Sequence, residues 1–241
     1  MWKNILIVND DGIEAEGLRR LAETAVRFGR VWVVAPLYQC SGMSQKISIF
    51  DKMTVTPYDY PVPVEAAWTV SGTPADCVKV AVNYLLKEKP DFVFSGINDG
   101  YNTGFDVAYS ATVGAAMEAL MKGIPAIAFS NALHGSYETI DAYLPLLMED
   151  LMSAPLPPNE MWNVNFPGIP LEDCRGILTD CEVASVQMYL DLYHREELEN
   201  GAFTLQNASS HISVDAAPEG SDIRAVLTGY ISIGTLHCPV L

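Results

Sequence analysis

The sequence predicts an α/β fold built on a doubly wound, mostly parallel sheet, and three observations carry that expectation. Apolar runs at Ile5-Leu6-Ile7-Val8 and Val31-Trp32-Val33-Val34-Ala35-Pro36 flank a stretch in which Leu18, Leu21, Ala22, Ala25 and Phe28 recur at threes and fours. This is a strand, an amphipathic helix and a strand, which makes the two strands parallel with a right-handed crossover. Apolar strands continue to alternate with helical stretches up to residue 170. Polar loops follow the carboxyl ends of those strands, where open sheets of this class hold their ligands.

The elements follow in order. The first strand ends in Asn9-Asp10-Asp11-Gly12, where glycine permits a sharp turn. The second leads into a polar loop carrying Ser41-Gly42-Met43-Ser44. Residues 47–56 partly alternate, and another extended run ends at Trp68-Thr69-Val70; with Pro57, Pro61 and Pro63 between them, these read as a hairpin arm or edge pair outside the core. Thr73-Pro74-Ala75-Asp76 is a helix start, with Thr73 as N-cap and Pro74 at the first helical position, and the helix is expected to reach Glu88. Phe92-Val93-Phe94 is a third core strand, followed by a glycine- and asparagine-rich loop from Ser95 to Gly104, the kind of loop on which function collects.

Ser110-Ala111-Thr112 opens the next helix, Gly123-Ile124-Pro125 ends it, and Ala126-Ile127-Ala128-Phe129 is a fourth strand. A helix over 137–152 should be kinked by Pro145, and Met161–Pro167 gives a fifth strand. Segments 176–190, 202–206 and 223–236 are strands or short helices whose order the pattern does not give. The expectation is a single domain over 1–241, with its core in 1–170 and a C-terminal region in 171–241.

The bulk numbers exclude several classes. With 14 Lys and Arg against a net charge of −16, the chain lacks the clustered cations that nucleic-acid backbones require. An anionic substrate would then have to be drawn in by a bound cation or by helix N-termini. Five cysteines, odd in number and without a C-x-x-C pair, fit free thiols in a reducing compartment. Met1-Trp2-Lys3-Asn4 leads directly into a strand without a signal-peptide pattern, and no apolar run approaches the roughly 20 residues of a spanning helix. A cytoplasmic location without a membrane partner is expected.

The residues able to do chemistry sit in loops that should converge. Adjacent carboxylates at Asp10 and Asp11 repel one another unless a cation lies between them, although acids at a helix start also occur for dipole reasons. Ser41 and Asn98 add a hydroxyl and an amide oxygen, or simply satisfy turns. Together the four are an all-oxygen set, suited to one hard divalent ion, Mg²⁺ or Mn²⁺ before Ca²⁺ or Zn²⁺. Ser110, Ala111 and Thr112 place hydroxyls beside free helical N–H groups, which makes either a phosphate cradle or ordinary capping. No G-x-x-x-x-G-K-[ST] loop and no G-x-G-x-x-G after the first strand is present. His134, His194, His211 and His237 lack ligand spacing; of them, His237 is the one that a folded-back tail would bring to a site.

Taken with Gly17-Leu18, Val33–Pro36, Gly72-Thr73-Pro74-Ala75-Asp76-Cys77-Val78, Ser95-Gly96-Ile97-Asn98, the long run Asp106–Glu118, Gly123-Ile124-Pro125, Asn163-Val164-Asn165 and Gly229–Ile233, the chain resembles the SurE survival proteins. These are metal-dependent nucleoside-monophosphate phosphatases. The resemblance implies a three-layer Rossmann-like core, a protruding β-hairpin and a C-terminal extension exchanged between subunits of a homodimer or homotetramer. It implies metal ligation by Asp10, Asp11, Ser41 and Asn98, with Asp10, Asp11 and Asn98 in catalysis and Asn9, Ser110, Ala111 and Thr112 on the phosphate. The expected activity is hydrolysis of nucleoside monophosphates to nucleoside and phosphate. The alternative is a non-catalytic nucleotide-binding or phosphoaccepting regulatory module. The chain departs from the family with Gln39-Cys40 where a basic residue is usual, with Ala111 in place of glycine, and with Ile233-Gly234-Thr235-Leu236 near its end.

Overall fold

A computed structural model describes residues 3–208 and 210–241. The strands are β1 (Lys3–Val8), β2 (Gly29–Pro36), β3 (Val55–Pro57), β4 (Ala66–Val70), β5 (Phe92–Asp99), β6 (Ala126–Asn131), β7 (Glu160–Asn165), β8 (Ile177–Leu178), β9 (Tyr193–Glu197), β10 (Phe203–Asn207) and β11 (Ile231–His237). The helices are α1 (Glu16–Ala25), α2 (Pro74–Val80), α3 (Ala111–Met121), α4 (Glu138–Ser153) and α5 (Asp222–Leu227). Among the described residues, one sheet runs β3-β4-β2-β1-β5-β6-β7-β11-β8 and a separate hairpin pairs β9 with β10. Pairing in the large sheet is parallel except for β3–β4 and β7–β11.

Alternation along β1 builds the layers. Ile5 and Ile7 face a core shared with Leu18 and Leu21 of α1 and Ile140 and Leu147 of α4. Leu6 and Val8 face the opposite core, with Cys77 and Val78 of α2 and Val113 and Ala116 of α3. A strand covered on both faces has no polar side to show, so β1 reads as an unbroken apolar run. From β1 the chain steps outward to β2 and β4, then returns to the other flank of β1 with β5. The point of reversal lies between β1 and β5, and there the crevice of such sheets opens at the carboxyl ends of the strands.

Three expectations change. Residues 66–70 are not a projecting arm: β4 runs parallel beside β2, with Ala67 and Val70 buried, and only the short β3 forms the edge. Pro57 ends the edge strand β3, opposite Trp68, and Pro61 and Pro63 fall between β3 and β4, so none of them lies within β4. The helix expected to reach Glu88 ends at Val80 and continues as a wider turn over Ala81–Leu85. The third core strand does not stop at Phe94; it continues to Asp99 through a register shift between Ser95 and Asn98. Glycine is required there, because at φ +130° a Cβ on Gly96 would stand 2.2 Å from the Phe129 carbonyl oxygen. The helix over 137–152 is present as α4 and runs on through Pro145.

The C-terminal segments resolve into β8, the hairpin, α5 and β11, which docks antiparallel on β7 of its own sheet. Every residue of β9 and β10 is exposed.

Candidate active site

The turn after β1 is built by Asn9. Its side-chain amide donates to the Gly12 carbonyl at 2.8 Å and its oxygen accepts from the Gly12 N–H at 3.3 Å. Asn9 is fully buried and both polar atoms of its side chain serve this turn, so it shapes the loop that carries Asp10. The Cys40 N–H donates to the Asp10 carbonyl at 2.8 Å and brings in the loop after β2.

Asp10 is 3% exposed and accepts a hydrogen bond from the Thr112 hydroxyl at 2.5 Å. Burial, and secondly the charge of Asp11, push its carboxyl up to about 7, against the pull of Thr112 toward the ionised form. Asp11 accepts from the Asp99 N–H at 3.1 Å, and burial raises it as well, with bonds from Asp99 and Gln39 opposing the shift. Asn98 donates its amide to the Gly100 carbonyl at 2.8 Å, which leaves its oxygen without a partner among the described residues. Gln39 donates to the Ser41 hydroxyl oxygen at 3.2 Å.

Ser110 caps α3, its oxygen accepting from the Val113 N–H at 3.0 Å. Capping and anion binding are compatible here, because the first N–H groups of a helix have no internal partner. Thr112 is fully buried and its hydroxyl donates to Asp10, which orients that carboxylate. Ala111 is buried at the first position of the helix and can offer only its backbone. Thr73 is a cap within a capping box with Asp76, as its sequence context suggested.

Asp10, Ser41, Asn98 and Ser110 line one cavity of about 350 Å³, together with Gln39, Asp99, Asp106, Tyr109, Leu133 and Tyr189. Asp11 lines a second cavity, of about 470 Å³, with Leu37 and Tyr58. An apolar cavity of about 390 Å³ lies at the amino ends of β5, β6 and β7, on the far edge of the sheet, and carries no such set of oxygens. His237 lies at that far edge too, opposite Glu160 in the register and 2.6 Å from the Asn159 amide, so it does not reach the crevice.

No group of three or more His, Cys, Asp and Glu residues with metal-holding geometry occurs among the described residues. The donor set is instead two carboxylates with hydroxyl and amide oxygens. That set fits a hard divalent cation: two adjacent carboxyls are partly buried, no Lys or Arg lines the cavity, and the Asn98 oxygen lacks a partner.

Several lining residues were not singled out as site residues from the sequence. Asp99 follows Asn98 and accepts from the His134 N–H at 2.6 Å, with the His134 ring nitrogen 3.0 Å from its other oxygen. Asp106 accepts from the N–H groups of Met188 and Tyr189 at 2.7 and 3.1 Å, and the Tyr189 hydroxyl accepts from the Tyr101 N–H at 2.9 Å. Asp106 and Tyr109 stand within the longest stretch of family resemblance, which was the available signal. For Tyr189, which is held in place by a loop some 80 residues away in sequence, no local signal exists.

A Rossmann-like α/β sheet with an acidic, oxygen-lined crevice at its point of strand reversal, facing the N-terminus of α3, defines a ligand-binding α/β protein of the open-sheet class. A family model described as Survival protein SurE matches residues 5–188. A protein from Synechococcus sp. named 5′-nucleotidase SurE is 38% identical over 239 residues, covering 97% of this chain and 91% of that one. One of the same name from Chlorobium phaeobacteroides is 42% identical over 240 residues, covering 98% and 90%. The crystal structure of SurE protein from Aquifex aeolicus superposes with a TM-score of 0.83 at 33% identity, over 98% of this chain and 94% of that one. The chain belongs to the SurE family.

Proposed function

We propose that this chain is a divalent-metal-dependent phosphatase that hydrolyses nucleoside monophosphates. The observation that carries the reading is the Asp10 carboxylate, buried, held by Thr112 and lining one cavity with the capping residue of α3, in a chain whose relatives are named 5′-nucleotidase. Asp10 and Asp11 would hold the cation, with the oxygens of Ser41 and Asn98 completing the protein ligands. A bound divalent ion supplies charge neutralisation at a phosphoryl oxygen and lowers the pKa of a coordinated water.

The chain's own part is positioning and electrostatics. The N–H groups at the start of α3 and the Ser110 hydroxyl face the remaining phosphoryl oxygens, adding positive potential that the side chains lining the cavity lack. Thr112 fixes the rotamer of Asp10, Asn9 fixes the turn that carries it, and the Asp99 N–H fixes Asp11. Phosphate release from AMP, measured with Mn²⁺ or Mg²⁺ and again with a chelator, tests the reading. Release that ignores the chelator, or that survives in Asp10→Asn, would sink it; nucleotide binding without release would favour a non-catalytic module.

The working form is proposed to be a homodimer or homotetramer. The support is the hairpin, which exposes Phe203 and Leu205 at 46% and 55%, beyond what an isolated two-stranded ribbon sustains in water. A sedimentation measurement giving only monomer would refute this part.

A further inference from the structure

Besides its oxygen donors, the cavity above Asp10 contains Tyr109 and Leu133, its two lining side chains that are large, apolar and exposed, at 58% and 51%. The backbone of Tyr109 is fixed on both sides. Its N–H donates to the Asp106 carbonyl at 3.0 Å, its carbonyl accepts from the Ser44 N–H at 2.9 Å, and the next residue, Ser110, caps α3. The backbone that carries the ring is therefore fixed, one residue from the helix N-terminus assigned to the phosphoryl group, while much of the ring's surface is left to solvent. An aromatic ring on a fixed backbone beside a polar cavity offers a stacking platform, and stacking accepts any base because every base presents a π-face.

The charge of the cavity bears on what occupies the rest of it. No Lys or Arg lines it, and Asp99 and Asp106 add carboxylates to that of Asp10. Beyond the phosphoryl position, a second or third phosphate would meet Asp99 and Asp106 and no basic side chain, whereas a neutral, flat group meets an aromatic and an aliphatic side chain. We propose that Tyr109 and Leu133 hold the nucleobase of the substrate, and so select nucleoside monophosphates over aliphatic phosphomonoesters. The proposal rests on the phosphatase reading above for the position of the phosphoryl group.

The test pairs a binding measurement with a rate ratio. Adenosine, which has no phosphate, is titrated calorimetrically into the full-length protein, into Tyr109→Ala and into Tyr109→Phe. The kcat/KM of each for AMP is then divided by that for glycerol phosphate. Adenosine binding and the AMP-to-glycerol-phosphate ratio should each fall about ten-fold or more in Tyr109→Ala, the range of a lost base–aromatic stack, and stay within about three-fold of the parent in Tyr109→Phe. Equal adenosine binding by the parent and Tyr109→Ala, or a ratio that the alanine leaves unmoved, overturns the proposal. Absence of phosphate release from either substrate removes the phosphatase reading, and the adenosine titration still decides the role of Tyr109.

Discussion

Gly114 sits inside α3 with ordinary helical geometry, so no backbone strain calls for glycine there. What calls for it is a close approach: a Cβ at this position would stand 2.4 Å from the carbonyl oxygen of Ser44. Carbon-to-oxygen contacts in proteins close to about 3.3 Å, so Gly114→Ala must drive the Ser44 loop back by roughly 1 Å. That loop cannot yield locally, since the Ser44 N–H is bonded to the Tyr109 carbonyl and its hydroxyl donates to Ala108 at 2.8 Å. The displacement reaches Ser41, three residues earlier on the cavity wall. A misplacement of about 1 Å in a reacting constellation costs on the order of 100-fold in rate.

Stability should move far less. Alanine gains about 1 kcal/mol of helix propensity over glycine, while overpacking costs about 1–3 kcal/mol, a net loss near 0–2 kcal/mol. At about 2–4 °C per kcal/mol for a chain of this size, the melting temperature should drop by at most about 8 °C. The assay is kcat/KM for AMP at saturating Mn²⁺ beside a thermal melt. A folded Gly114→Ala variant whose kcat/KM stays within about three-fold of the parent would refute the argument that α3 positions the Ser41 loop.

Thr112→Val keeps shape but removes the hydroxyl that bonds Asp10; a hydrogen bond to a charged group is worth about 1.5–3 kcal/mol, so Mn²⁺ affinity measured by calorimetry should weaken about ten-fold or more. Asp222 accepts from the N–H groups of Gly104, Ala184 and Ile223 at 2.9, 2.9 and 2.8 Å, and is 3% exposed. Asp222→Ala strands three buried donors and should cost at least about 3 kcal/mol, seen as a melting temperature lowered by roughly 6 °C or more. Mn²⁺ at about 100 times its dissociation constant should stabilise the parent by about 2.7 kcal/mol, and the accompanying rise in melting temperature should vanish in Asp10→Asn.

What the sequence determined by itself is what short-range rules govern. The β1–α1–β2 unit is legible because a doubly covered strand must be apolar throughout and a half-covered helix must be striped. The caps at Thr73 and Ser110 are legible because a cap contacts residues three positions away. Asp10, Asp11, Ser41 and Asn98 could be expected in one crevice because loops at the carboxyl ends of neighbouring parallel strands converge; Asp10, Ser41 and Asn98 do line one cavity, while Asp11 lines the second.

Tertiary structure decided the remainder, because it depends on contacts between residues far apart in the chain. The pairing of Asp10 with Thr112 spans 102 positions, so no local pattern could show that the Thr112 hydroxyl donates to that carboxylate. Ser95-Gly96 reads as the end of a strand, yet the chain continues to Asp99 because β6 lies alongside and the missing Cβ admits the Phe129 carbonyl. Tyr189 reaches the cavity only because Asp106 and Tyr101 hold it there, and His237 is kept from it only because β11 runs antiparallel to β7. Local propensity carries no term for such partners; they form when the layers pack, and their energy belongs to the pair and not to either residue.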